Sequence, residues 1–270
     1  MQRLDASHMS RGTLTGLYRH PVKGFTPEPL TSVALAPGSG FPLDRVWAVE
    51  NGPSGFDPAD PQFVPKQKFA VLAASPRVAA AASRYDEAEG VLHARAPGLA
   101  DFAGRLDAAE GRAAFAAWLG ALLGEDARGP LKVVEAPAQH RFTDHPQGQV
   151  SLINLASVRD LAERMGAEVD PLRFRANLYV EGWPPWVEND WTGSALRLGA
   201  LEAQVLKPIV RCAATHVSPK TAQRDLDVTK GLFDHYGHLH CGIYLQVTAP
   251  GRLAVGDACA GPEAVRRAPS

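Results

Sequence analysis

The sequence predicts a mainly β (α+β) protein with a few helices, built as two β-rich units. Three observations carry this. A chain of 270 residues has room for one or two domains. Its 25 glycines and 22 prolines are scattered as punctuation, which gives many short elements joined by turns. Only two stretches carry a clear helical period; the other apolar runs are short and bounded by turn residues. Hydrophobic residues at 45% and charged residues at 21% are an ordinary globular balance and exclude a mostly disordered chain.

Residues 1–12 look unlike the rest, with a scar-like Ser7-His8-Met9, and are set aside as a tag or disordered segment. Strands are expected at 13–22, 31–36 and 45–50, the last two ended by Pro37-Gly38 and Asn51-Gly52. Residues 52–65, rich in Pro, Gly and Asp, read as a loop. Strands follow at 69–74 and 90–96. The strongest helix is 108–123: Phe115, Trp118, Leu119, Leu122 and Leu123 fall at i, i+3, i+4, i+7 and i+8, and Gly124 stops it.

A strand at 131–136 leads to a second helix at 156–165, with Asn154 as N-cap and Gly166 as stop. Beyond Pro171 nearly everything reads as strand. Residues 173–180 alternate, placing Arg173, Arg175, Asn177 and Tyr179 on one face. Strands 195–198 and 203–207 flank the Gly199-Ala200 turn, and Pro250-Gly251 joins 242–248 to 252–255 as a hairpin. The units are 13–110 and 111–262, with a tail at 263–270.

Composition excludes several function classes. Lys and Arg number 28 against 29 Asp and Glu, a balance unlike a nucleic-acid binder. The longest apolar run, 113–124, contains Gly120 and Gly124 and falls short of the roughly 20 residues a membrane span needs. The N-terminus lacks a secretory leader pattern. Three cysteines, Cys212, Cys241 and Cys259, suit a reducing compartment, so a cytoplasmic location is expected. With no CxxC pair, no iron–sulfur cluster is expected in this chain. GxGxxG, P-loop, HExxH and GxSxG patterns are absent from the sequence.

Among chemistry-bearing residues Cys212 stands first. It ends an apolar strand broken by Pro208, and a cysteine there can be a nucleophile, a persulfide carrier, a soft metal ligand or a small buried hydrophobe. Neighbours on a strand face opposite ways, so Arg211 need not reach it. The Arg173, Arg175 and Asn177 face offers donors suited to phosphate, or is a solvated strand face. Lys23 and Arg45 are either surface charge or, with Arg175, an anion site between the two units. The run Asp234-His235-Tyr236-Gly237-His238-Leu239-His240-Cys241 matches no zinc template and reads as an exposed loop, or a substrate loop with Trp183 and Trp186 near the mouth.

These residues, in order, resemble a known family. Phe174–Asn177, Glu188-Asn189-Asp190-Trp191, Leu198-Gly199, Arg211-Cys212, Thr215, Pro219 and Gly256-Asp257 resemble the MOSC domain, named for the C-terminal domain of molybdenum cofactor sulfurases. Leu17-Tyr18 through Pro21-Val22-Lys23, then Leu43-Asp44-Arg45-Val46-Trp47, resemble the β-barrel domain preceding MOSC in the branch that includes the mitochondrial amidoxime-reducing component.

The resemblance implies the molybdenum cofactor (molybdopterin), with Cys212 as metal ligand or persulfide holder and as the catalytic residue. It implies that Lys23, Arg45, Arg175, Asn177 and Arg211, with Asn154, contact the cofactor. The pattern departs at Gly24, where the family often has Ser, at Val210, where eukaryotic members have Ser, and at Cys241, where Phe is common.

Three functions follow as expectations. The first is a molybdenum-dependent oxidoreductase that reduces small N-oxygenated (N-hydroxylated) compounds. Its electrons come from a separate donor, a ferredoxin-like protein or flavoprotein reductase, because the four-cysteine domain of some relatives is not in this sequence. The second is a sulfur or cofactor carrier without redox turnover. The third is a binding module that has lost its chemistry.

Overall fold

The computed structural model describes residues 9–146 and 150–263. In chain order the first elements are β1 (Met9–Arg19), β2 (Glu28–Leu30), β3 (Ser32–Leu35), β4 (Trp47–Asn51), β5 (Ala82–Asp86), β6 (Val91–Arg95), β7 (Phe102–Arg105), α1 (Ala109–Leu123) and β8 (Leu131–Glu135). Then come β9 (Val150–Asn154), α2 (Leu155–Met165), β10 (Leu178–Glu181), β11 (Ala195–Leu198), β12 (Leu201–Val210), α3 (Val228–Tyr236), β13 (His240–Ala249), β14 (Gly251–Ala254) and β15 (Ala258–Glu263).

Seven strands close into a barrel in the order β10-β9-β13-β12-β11-β15-β1, sealed by pairing of β1 with β10. Closure leaves the ring without an open edge. Alternation makes it possible: along β12, Leu201, Ala203 and Val205 are buried while Glu202 and Gln204 are exposed. The inward set joins Leu14, Leu17, Leu152, Leu178, Val180, Leu198, Ile243 and Leu245 in one core. Among the paired strands of the described residues only β9 and β10 run parallel, and α2 makes the crossover that a parallel pair requires. Asn154 Oδ1 accepts from Ala156 N–H to cap α2, and Gly166 ends it at φ 61°.

The second unit pairs β4 with β8 and forms a sheet from β5, β6 and β7. The face of α1 bearing Phe115, Leu119 and Leu123 packs against Trp47, Val49, Leu92 and Phe102. So α1, which runs across the expected boundary at 110, and β8, which follows it, belong with the N-terminal elements, while β1 belongs to the other barrel. The two units interleave along the chain because pairing, not chain order, decides where a strand is buried.

Other departures have local causes. β1 begins at Met9, so residues 9–12, set aside as tag, are strand; residues 1–8 and the tail at 264–270 lie outside the described residues. Residues 69–74 form turns around a single bridge between Phe69 and Glu50. Pro171–Phe174 is a 3-10 turn and Arg175 is left-handed at φ 53°, which breaks the strand expected at 173–180. β14 leaves β13 to pair with β3, so Pro250-Gly251 makes no hairpin. α3 was hidden by its His-rich end, although Asp227 caps it and Gly237 stops it. No helix among the described residues is long and apolar enough to cross a membrane.

Candidate functional site

A cleft of about 200 Å3 opens where the N-terminal turns meet the end of β12. Register shifts at Val205/Lys207 and Pro208/Val210 bulge that strand, and bulges re-aim the residues that follow. Cys212 lies just beyond. Its carbonyl accepts from Thr215 N–H (3.0 Å) and Oγ1 (2.9 Å), which fixes the 3-10 turn Ala213–His216.

Arg211, just beyond β12, is engaged by backbone carbonyls. It donates through Nε to the Cys241 carbonyl (2.7 Å) and through Nη1 to the Phe174 carbonyl (2.9 Å), and lies over the Phe174 ring. The cation that does reach the thiol is Lys66, whose Nζ donates to Cys212 Sγ at 3.1 Å. Nothing in the sequence spacing marks Lys66, because 146 residues separate the two.

The cleft gathers cations from five segments. Lys23 follows the bridge between Val22 and Trp47 and is 4% exposed; its ammonium donates to the Phe142 carbonyl (2.9 Å) and to Asp144. Burial lowers the Lys23 pKa although Asp144 opposes it. Arg45 stands at φ 52° and donates to Asp44 and, at 3.0 Å, to the Arg175 carbonyl. Arg175 is pushed down to about 10 by burial and by the neighbouring Arg45 charge. Two left-handed, non-glycine arginines at one cleft are a local strain of the kind that gathers at ligand sites.

Fully buried Asp44 stands behind them. Burial would raise its pKa, but Arg45 and His20 outweigh that and hold it far below the usual carboxylate range. Its Oδ1 accepts from His20 N–H (2.7 Å) and contacts Nδ1 (3.1 Å). Arg173 is a clip: it pairs with Asp225 (2.7 and 2.9 Å) and donates to the Thr215 and His216 carbonyls, steadying the turn after Cys212.

Two expected contacts lie elsewhere. Asn177 is buried behind the wall, accepting from Ser151 N–H and Oγ and donating to the Tyr18 carbonyl (3.2 Å). Asn154 donates to the Pro184 carbonyl (2.8 Å) and to Glu188 (2.9 Å) while capping α2. Both amides are engaged within the protein and neither lines the cleft. Trp183 is core, and Trp186 lies tilted against Tyr236 with its indole N–H on Asp160. Neither they nor His235–His240 line the cleft. Tyr244 and Asp144, which the sequence reading missed, do.

The donor set fits an anionic ligand carrying a soft metal. The Nη2 groups of Arg175 and Arg211 are buried and have no hydrogen-bond partner among the described residues. Such donors cost stability unless something accepts from them. Among the described residues no group of three or more His, Cys, Asp or Glu could hold a metal ion.

Comparison with known proteins gives the same class. Residues 11–128 match the MOSC N-terminal beta barrel domain and residues 139–260 match the MOSC domain. Together the matches span most of the chain, and the protein belongs to the MOSC family. Molybdenum cofactor sulfurase of Danio rerio is 27% identical over 271 residues, covering 86% of this chain and 32% of that protein. The Caenorhabditis elegans protein of the same name is 33% identical over 122 residues, covering 44% and 16%. The chain thus spans less than a third of the length of these relatives. Among solved structures, the YuaD protein of Bacillus subtilis aligns with a TM-score of 0.46 at 13% identity over 94% of this chain and 97% of that one. YiiM of Escherichia coli aligns at 0.31 and 22% over 45% and 58%.

Proposed function

We propose that this chain binds the molybdenum cofactor in the cleft and reduces small N-hydroxylated compounds with electrons from a separate donor protein. One observation carries the reading: the Cys212 thiol, contacted by Lys66, shares a cleft with two buried guanidinium groups whose Nη2 donors are unpaired. When bound, the molybdenum centre supplies oxygen-atom acceptance from an N–O bond.

The protein's own part is binding and orientation. Cys212 would hold the metal through its sulfur, with the Lys66 ammonium beside it. Lys23, Arg45 and Arg175, which line the cleft, would hold the terminal phosphate, and Arg211 ties the wall together through the Cys241 and Phe174 carbonyls. Asp44 and the Arg175 carbonyl fix the Arg45 guanidinium in place.

The test is molybdenum per chain, measured by inductively coupled plasma mass spectrometry after expression in a cofactor-competent host. Near-stoichiometric metal is expected, falling at least tenfold in Cys212→Ala, with hydroxylamine reduction by the holoprotein and an artificial donor lost in parallel. Metal retained in that variant rejects Cys212 as ligand.

The Lys66 contact and the molybdenum cofactor sulfurase relatives also favour a second reading, a persulfide or cofactor carrier. A sulfur adduct on Cys212 in intact-mass spectra, without hydroxylamine turnover, selects it.

A further inference from the structure

Of the charged side chains that line the cleft, seven are cationic and one, Asp144, is a carboxylate. That carboxylate is paired with two of the cations. Lys23 Nζ donates to Oδ1, and Lys66 Nζ lies 3.6 Å from Oδ2. The partners differ in freedom: the Lys23 side chain is 4% exposed, whereas Asp144 is 44% exposed. The ammonium is fixed in the wall and the carboxylate can leave toward water. Burial opposes its charge, but Lys23 and Lys66 outweigh that and hold the carboxyl well below the usual range, so it is an anion at neutral pH.

We propose that Asp144 is the cleft's own counter-anion, seated on Lys23 and Lys66 until the anionic group of a ligand displaces it. The proposal rests on the anion-site reading above. The Nη2 donors of Arg175 and Arg211 stay open, while both lysines are occupied from within. A phosphate that reaches Lys23 must exchange with Asp144. The exchange lowers affinity for every anion by the same factor. Weak adventitious anions are kept off the lysines, and a ligand with further contacts in the cleft is admitted. The same carboxylate spares Lys23 and Lys66 an unpaired approach of like charges when no ligand is present.

The experiment is isothermal titration of the full-length, cofactor-free chain with inorganic phosphate at low ionic strength, comparing wild type, Asp144→Asn, Asp144→Ser and Lys23→Met. Removing a half-exposed carboxylate paired to two ammoniums should tighten phosphate binding about fivefold to tenfold in both Asp144 variants. Lys23→Met should weaken it. Circular dichroism without phosphate confirms that each variant is folded. Affinity unchanged or reduced in folded Asp144 variants, over a wild type that binds phosphate, overturns the role of Asp144 and leaves the anion site standing. No phosphate binding in any form overturns the anion site and this proposal together. The metal at Cys212 is judged separately by molybdenum content.

Discussion

At the scale of single residues, His20 and Asp44 show how the cleft wall is held. His20 is fully buried, its Nε2 has no partner among the described residues, and its pKa is pushed down to about 3 by burial and by the Arg175 and Arg45 charges. Its ordinary value is 6.5, so between those limits the unfolded chain takes up a proton that the folded one refuses. Stability from His20 is therefore complete above about pH 6.5 and drains as pH falls toward 3. Asp44, with its lowered pKa, adds loss only below about pH 4, where unfolded carboxylates protonate. Between about pH 7 and about pH 5 the His20 share is about 2 kcal/mol. Urea unfolding at those two values should show it, and His20→Asn should flatten the slope by that amount. Equal slopes in the two proteins would mean that His20 is protonated without cost in the folded state.

Among the elements, α2 links the barrel to a buried carboxylate. Asn154 caps the helix and donates to Glu188, which also accepts from Ser157 Oγ at 2.7 Å. Glu188 is fully buried, and burial pushes its carboxyl up against those two donors. Removing Asn154 takes away the cap and strips one donor from that carboxylate. Asn154→Ala should cost about 2–4 kcal/mol in chemical unfolding. Molybdenum content per folded chain should stay at the wild-type level, because the side chain faces Pro184 and Glu188 and not the cleft. A loss of metal at unchanged stability would restore Asn154 as a cofactor contact. The Glu188-Asn189-Asp190-Trp191 run thus acts through packing: Glu188 anchors α2, and Trp191 sits edge-on to Trp183 in the barrel core.

For the whole molecule, the decisive feature is that the first strand closes the last barrel. β1 pairs with β15 through its first half and with β10 through its second. β3, also from the N-terminal part, pairs with β14. A fragment beginning at residue 21 exposes the edges of β10 and β15 and uncovers the core beside Leu14 and Leu17. It should lose cooperative unfolding and become sensitive to limited proteolysis, whereas the full chain unfolds in one transition. A fragment that melts as sharply as the full chain would show that the barrel closes without β1. The interleaving serves the cleft: Lys23, Arg45 and Lys66 come from turns of one unit, while Arg173, Arg175, Lys207, Arg211 and Cys212 come from the other, the last two just beyond the end of β12.

Much of this was present in the sequence as local physics. The apolar spacing of 108–123 located α1 to within a residue, and Asn154 and Gly166 marked the ends of α2, because caps and periodicity act over a few residues. The ordered motifs from Leu17 to Asp257 marked the family, and they singled out Cys212, Lys23, Arg45 and Arg175, all four of which line one cleft. Tertiary structure alone decided the rest. Asn177 matched a motif yet turns inward to Ser151 and Tyr18, since a motif carries residue type and not direction. Lys66 and Asp144 belong to no motif and reach Cys212 and Lys23 across 146 and 121 residues. Such contacts depend on which strands close the barrel, and strand pairing at long range is set by the fit of the whole core, which no local window of sequence contains.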